Sequence, residues 1–316
     1  MENWKTTLRD NIWVNHTRIV RLENSFLRVD ISPEIGGRVI SIYNKKLDLE
    51  FLWKNEQLSL SPAQPGDAYD PRFFGGIDEV IPGDIPEQIG ALDCPDHGEL
   101  WTLPLETQIM DEGLALRGVL PRWGLSYHKH IALRPAAPWI DMDYRIENRS
   151  GEDRIFLWKL HAAVNINAGD AIICPAQKAV VADPAWSRWK TETPFSWPFV
   201  HGERADLIAP ADGTTDFLFL YDLEAGAIGC RRHALDCELT IFFDRKVFPY
   251  ACYFASFGGL DQHYTAVLEP CTAMPVSVNE AARLQQCSIL KADEQIATRV
   301  SIYAGPSQLD SQQHEN

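Results

Sequence analysis

Three short stretches of this 316-residue sequence place titratable side chains where chemistry could use them. Asp96-His97-Gly98-Glu99-Leu100-Trp101 closes a long region rich in Pro, Gly and Asp. Leu157-Trp158-Lys159-Leu160-His161-Ala162-Ala163-Val164-Asn165-Ile166 puts a histidine into a largely apolar run, and Ala266-Val267-Leu268-Glu269-Pro270 sets a carboxylate after one. Each has an ordinary structural reading on its own: a strand histidine is usually a satisfied core residue, and Glu269 could simply end a strand. Together they supply two imidazoles and a carboxylate whose burial would suit it to act as a base near neutral pH, a set fitted to proton transfer. Two histidines and a glutamate are also a known zinc set, but no HExxH spacing supports one here, and no metal site is expected. His128 and His130, which share a strand face while Lys129 turns the other way, read as a surface feature.

The elements that must position these groups are strands. Ile140-Asp141-Met142-Asp143-Tyr144-Arg145-Ile146-Glu147 alternates without a break, and Leu27 to Ile31 repeats the pattern. Arg38 to Tyr43, Leu114 to Val119, Tyr127 to Leu133, Phe217 to Tyr221, Leu239 to Phe243 and Val300 to Tyr303 are weaker versions rich in β-branched and aromatic residues. Glu147 to Asp153 reads as a hairpin connection, and the best helical candidate is Ser277 to Leu290, capped by Ser277. The expected fold is mostly β: one domain over Met1 to Asn316, its core about Ile12 to Gly305, of two large packed antiparallel sheets, with a frayed polar tail from Gln308 to Asn316. Two segments break the strand rhythm. Ser61 to Pro95 is too long for a hairpin and reads as a functional loop. Pro184 to Val200 gathers Trp186, Trp189 and Trp197, either to stack on sugar rings or, the favoured reading, as a rigid loop plugged into the core.

Hydrophobic residues make up 45% and charged residues 23%, enough apolar surface for a substantial core and unlike a disordered chain. A net charge of −15 repels polyanions, so neither nucleic acid nor a membrane is expected as a partner. The substrate should be small and neutral, or anionic only if a local arginine cluster holds it. Seven cysteines without a CxxC pair read as reduced thiols rather than a disulfide framework. Met1 to Lys5 opens no apolar leader, no apolar run approaches the ~18 residues of a membrane span, and a cytoplasmic location is expected. The assembly is left open, a homodimer included.

The segment Pro33-Glu34-Ile35-Gly36-Gly37-Arg38-Val39 with Ser41-Ile42 resembles an N-terminal segment of the galactose mutarotase-like (aldose 1-epimerase) superfamily. Gly75-Gly76-Ile77-Asp78-Glu79-Val80-Ile81-Pro82 is similar to the loop before the first active-site histidine in divergent members. Asp96-His97-Gly98, His161 with Asn165-Ile166, and Leu268-Glu269-Pro270 resemble the family's His-Gly, His-x-x-x-Asn-Leu and catalytic-glutamate segments, in family order. The resemblance implies a β-supersandwich with a sugar site on a concave sheet. Glu269 would be the base that takes the anomeric proton, His161 the acid that protonates the ring oxygen, and His97 a hydrogen-bonding partner near that oxygen. Arg38 and Arg72 would bind hydroxyls or an acidic substituent, and Asp244 would be the sugar-binding aspartate. The chain departs from close galactose mutarotases in having Glu99-Leu100-Trp101 where they carry an arginine, and Leu160 where they carry an asparagine. The function implied is cofactor-free anomer interconversion of a small-molecule carbohydrate. The alternatives are a non-catalytic carbohydrate-binding or sensor protein on the same fold, or another sugar epimerase or isomerase.

Overall fold

Period-2 patterning builds most of the molecule, and Trp139–Asn148 shows how. Ile140, Met142, Tyr144 and Ile146 are buried, while Asp141, Asp143, Arg145 and Glu147 stay at least partly exposed. In the computed structural model, which describes residues 6–308, that strand is central to an eight-stranded sheet. The tail expected to be frayed lies outside the described residues from Leu309 onward. The sheet runs in the order Ala171–Ile173, Ala227–Arg232, Cys237–Phe242, Gln295–Pro306, Trp139–Asn148, Leu125–Leu133, Gly113–Val119, Glu106–Met110.

The second sheet has twelve strands and carries the residues of interest at its centre. Its middle strands are β1 (Arg38–Asn44), β2 (Ile77–Val80), β3 (Lys159–Val164), β4 (Thr214–Leu223), β5 (Tyr250–Phe257) and β6 (Tyr264–Cys271), lying side by side as β1-β2-β3-β6-β5-β4. Thr7–Val14, Thr17–Glu23 and Leu27–Ser32 extend one edge, Ala176–Val181 and Phe195–Ser196 the other, and the short Leu49–Glu50 pairs with β1 off this path. The ladders are antiparallel throughout. Leu160, Ala162, Val164 and Leu268 from this sheet meet Leu116, Tyr127, Ile131, Met142 and Ile302 from the first in one contiguous core. Each of the larger aliphatic side chains among them contributes about 1.5–3 kcal/mol by leaving water.

A charge pair is sealed into this core. Lys129 Nζ lies 2.5 Å from Glu79 Oε1, both side chains fully buried, and the Tyr144 hydroxyl donates to the same oxygen at 2.7 Å. Lys129 turns inward while His128 and His130 stay partly exposed on the opposite face.

Three sequence expectations are corrected. Glu147 to Asp153 does not connect a hairpin, because Trp139–Asn148 is already paired on both edges. Asn148 instead folds the chain over, accepting from Ser150 N and donating to Leu290 O, and Arg154–Phe156 pairs with Ser288–Leu290. The helix covers only Val278–Arg283; Ser277 caps it by accepting from Glu280 N, but Gln285 takes a left-handed φ of 58° and the chain turns away. Ser61 to Pro95 is not one loop, since it contains the central strand β2 and the hairpin Glu87–Ile89/Leu92–Cys94. Among the described residues no helix is long and apolar enough to cross a membrane.

Candidate active site

Alternation along β3 sends Leu160, Ala162 and Val164 into the inter-sheet core and Lys159, His161 and Ala163 to the other face. The ladders extend that face sideways. His161 is registered with Asp78 on β2, the pairings Lys159↔Cys271 and Ala162↔Leu268 put Glu269 of β6 opposite His161, and Glu269 is registered with Cys252 of β5. Asp78, His161 and Glu269 thus form one cross-strand row, adjacent Cβ atoms standing about 4.5–5.5 Å apart.

His97 reaches the row from a loop. Gly98, at φ +76°, lies so close to Ile81 that a Cβ would sit 2.1 Å from the Ile81 carbonyl oxygen. Only glycine permits the contact, and with it Glu99 N donates to Ile81 O and His97 N to Asp84 O. His97 itself is held at φ +55°, a left-handed conformation that costs a non-glycine residue about 1–2 kcal/mol. Gly36 anchors the other side of the loop: its position leaves no room for a Cβ beside Leu100 O, and its N–H donates to Leu103 O.

His97, His161 and Glu269 line one cavity of about 280 Å³, together with Lys159, Asp84, Asp96 and Tyr69. The ring of Tyr69 stacks on His97, centroids 3.8 Å apart, and its hydroxyl donates to Asp78 at 2.9 Å. His161 Nδ1 faces Asp78 Oδ1 at 3.2 Å, which places a proton on Nδ1 and turns Nε2 to the cavity. Burial would raise the Asp78 carboxyl, but the Arg38 guanidinium at 2.5 Å and the bonds from His161 and Tyr69 hold it well below the usual carboxylate range. Burial likewise works against a charged His97, yet Asp96 Oδ1 at 2.8 Å from Nδ1 and the nearby Asp84 raise it above an ordinary histidine. Glu269 accepts no aligned hydrogen bond among the described residues; Lys159 Nζ stands 3.0 Å from its Oε2 and 2.6 Å from Asp84 Oδ2. Phe73, Phe217, Phe254, Leu260 and Val267 make the apolar wall, and Ile85 and Trp186 stand at the exposed mouth.

The remaining sequence candidates are placed elsewhere. Arg38 is 2% exposed, bound to Asp78 and to Gly75 O, so it acts behind the row rather than at the rim. Arg72 pairs with Asp67 at 2.8 Å and, with Arg38 and Trp101, lines a neighbouring cleft of about 310 Å³. Asp244 is exposed, lines neither cavity and caps its own turn through Lys246 N. Trp189 and Trp197 pack against the core, whereas Trp186 reaches the cavity, so the tryptophan cluster divides between its two readings. Tyr69, Asp78, Asp84 and Lys159 had no assigned role in the sequence. For Asp78 and Lys159 the available signal was a charged residue among apolar ones and, for Lys159, its spacing of two from His161; Tyr69 and Asp84 lie outside the strands and carried none.

No family model matches the sequence. The structure is similar to that of a candidate aldose 1-epimerase from Klebsiella pneumoniae, with a TM-score of 0.73, 12% identity, and 98% of this chain and 85% of that one covered. A galactose mutarotase-like protein from Clostridium acetobutylicum is similar at a TM-score of 0.69 and 13% identity, covering 96% of this chain and 100% of that one. A galactose mutarotase related enzyme from Lactobacillus acidophilus gives a TM-score of 0.67 at 13% identity over 92% of this chain and 98% of that one. The chain therefore has the mostly-β sandwich fold of the aldose 1-epimerase and galactose mutarotase-like proteins, in a sequence far diverged from theirs.

Proposed function

We propose that the chain is an isomerase of the aldose 1-epimerase type, interconverting the anomers of a small carbohydrate by acid/base ring opening and closure. One observation carries the reading: Glu269 and His161 are direct cross-strand neighbours on a cavity wall, and Asp78 holds His161 with Nε2 toward the cavity. Ring opening needs a base at the anomeric hydroxyl and an acid at the ring oxygen, two atoms bonded to the same carbon. Cross-strand spacing suits that short O–C–O unit. Glu269 takes the hydroxyl proton as the anomeric carbon becomes an aldehyde, and the bond to the ring oxygen breaks as His161 Nε2–H protonates it. Rotation about C1–C2 and the reverse transfers close the other anomer. Asp78 supplies the counter-charge for the imidazolium, and His97 donates to a sugar oxygen. Asp70, Asp84, Asp96 and Glu269 all line the cavity while Arg38 and Arg72 are engaged elsewhere, which favours an uncharged sugar over a phosphate or uronate.

The test is NMR saturation transfer between anomers on a panel of aldoses, measured against the spontaneous rate. Glu269→Gln keeps shape and much of the hydrogen bonding but cannot take the proton, so catalysis should fall ~10²–10⁴-fold while sugar binding persists. Equal binding by both proteins with no rate above background on any sugar would leave a binding protein instead.

A further inference from the structure

Two lysines among the described residues are fully buried, and they do different things. Lys129 donates to Gly37 O and Glu79 between the sheets, remote from the cavity. Lys159 has its ammonium on the cavity wall, bridging Asp84 and Glu269. We propose that Lys159 is a positioning residue for Glu269, supplying the fixed positive charge that keeps this buried carboxylate ionised and aimed at the cavity. The inference rests on the anomerisation reading.

The groups that face Glu269 decide its charge. From β3 come Lys159 and His161, from β5 the thiol of Cys252, from its own strand Cys271, and from the loop above Tyr69. Beyond Lys159 stand Asp84 and His97. Burial pushes both thiols and the Tyr69 hydroxyl up, so these stay neutral, and His161 is already committed to Asp78 through Nδ1. Lys159 is thus the cation in direct contact. Burial would push its ammonium down, but Asp84 and Glu269 raise it well above an ordinary lysine, so it serves as a charge and not as a nucleophile. The contact with Glu269 is an ion pair without an aligned hydrogen bond, which leaves the carboxylate lone pairs free to take a proton. Asp84 fixes the ammonium with the shorter contact, so Lys159 need not move when Glu269 becomes neutral during the reaction.

The experiment compares pH–rate profiles of wild type, Lys159→Met and Lys159→Arg, and records infrared carboxyl spectra of each with and without Glu269→Gln. Without the ammonium, burial opposes the charged form of Glu269: the acid limb of the profile should move up by about one pH unit or more, a loss that approaches tenfold on the acid side and recovers at higher pH. A protonated-carboxyl band should appear at neutral pH in Lys159→Met and vanish when Glu269→Gln is added. Lys159→Arg should restore the profile, and Lys159→Gln replaces the methionine variant if that one does not fold. A loss of rate that is equal at every pH, or the absence of a Glu269-dependent band, would overturn the proposal. If wild type shows no anomerisation, the functional reading fails, and the infrared comparison still decides the role of Lys159.

Discussion

Replacing Asp78 with asparagine keeps the side chain's shape and removes one charge from the middle of the site. The carboxylate receives Arg38 Nη2 at 2.5 Å and the Tyr69 hydroxyl at 2.9 Å, and faces His161 Nδ1 at 3.2 Å. Asparagine offers one acceptor oxygen to these three donors, and its nitrogen only donates. With the oxygen kept by Arg38, the amide nitrogen faces His161, whose Nδ1 must then accept, and the imidazolium form loses its counter-charge. The turnover rate should fall ~10²–10⁴-fold. KM should change little, because Asp78 is not on the cavity wall. Arg38 stays buried with half a partner; breaking a buried pair costs about 3–5 kcal/mol, and the retained acceptor puts this case near 3. At about 2 °C per kcal/mol for a chain of this size, the melting temperature should drop by about 6 °C at pH 7. The pH dependence has a fixed sign. A carboxyl held low in the folded state contributes stability that is present above its unfolded value near 4 and is lost as pH falls toward the folded one, so the gap between wild type and variant should close in acid. Thermal melts from pH 3 to 8 and saturation transfer at 25 °C measure both effects. A melting temperature within about 1 °C of wild type together with a rate within about threefold would refute the role assigned to Asp78.

Trp186→Ala should raise KM for the sugar by about threefold to tenfold with little change in turnover, the worth of one ring stacked at the cavity mouth; an unchanged KM in the saturation-transfer assay would remove Trp186 from the site. Burial pushes the Asp216 carboxyl up to about 7 against the pull of Arg188, so the folded state holds a proton the unfolded chain has released and stability from this group falls as pH rises from about 4 to 7. Asp216→Asn should therefore gain on wild type between pH 5 and 8 in urea denaturation, and parallel pH profiles would contradict that.

Strands with one wet face were readable from their alternation, and some buried on both faces, such as Arg38–Asn44, from β-branched and aromatic content, but the shortest buried strand was not. Trp139–Asn148 alternates because water touches one side of it. β2 is four residues long and buried on both sides, with Asp78 directed to the site and Glu79 to Lys129. A run of Ile-Asp-Glu-Val has no period to detect, so it passed as part of a long loop. His161 and Glu269 were legible because each is a titratable residue in or after an apolar run, and His97 because its stretch closes the region rich in Pro, Gly and Asp. Arg38 was marked as a functional arginine only by the family resemblance of its segment, and its partner is a buried aspartate that sequence spacing cannot supply, being forty residues away in the chain. The exposed Arg72 and Asp244 show the converse: a charge already satisfied by its own loop carries no signal of a site.

The division between strand and loop also bears on what in this site is fixed. Asp78, His161 and Glu269 belong to three adjacent strands, so their spacing follows from the ladder and could change only by a register slip, which would turn every side chain of the strand to the opposite face. His97, Tyr69 and Trp186 come from segments outside the ladders, held by particular contacts: the strained backbone at His97, the Tyr69 N–H to Asp96, and the Asp183 cap before Trp186. Changes to the contacts at His97 and Trp186 can reshape the mouth and one wall of the cavity without displacing Glu269 and His161, the proposed base and acid, whereas the Tyr69 hydroxyl reaches Asp78 in the row itself. Substitutions on the loops should therefore alter which sugar is held, through KM, whereas substitutions along the row should alter whether its ring opens, through turnover.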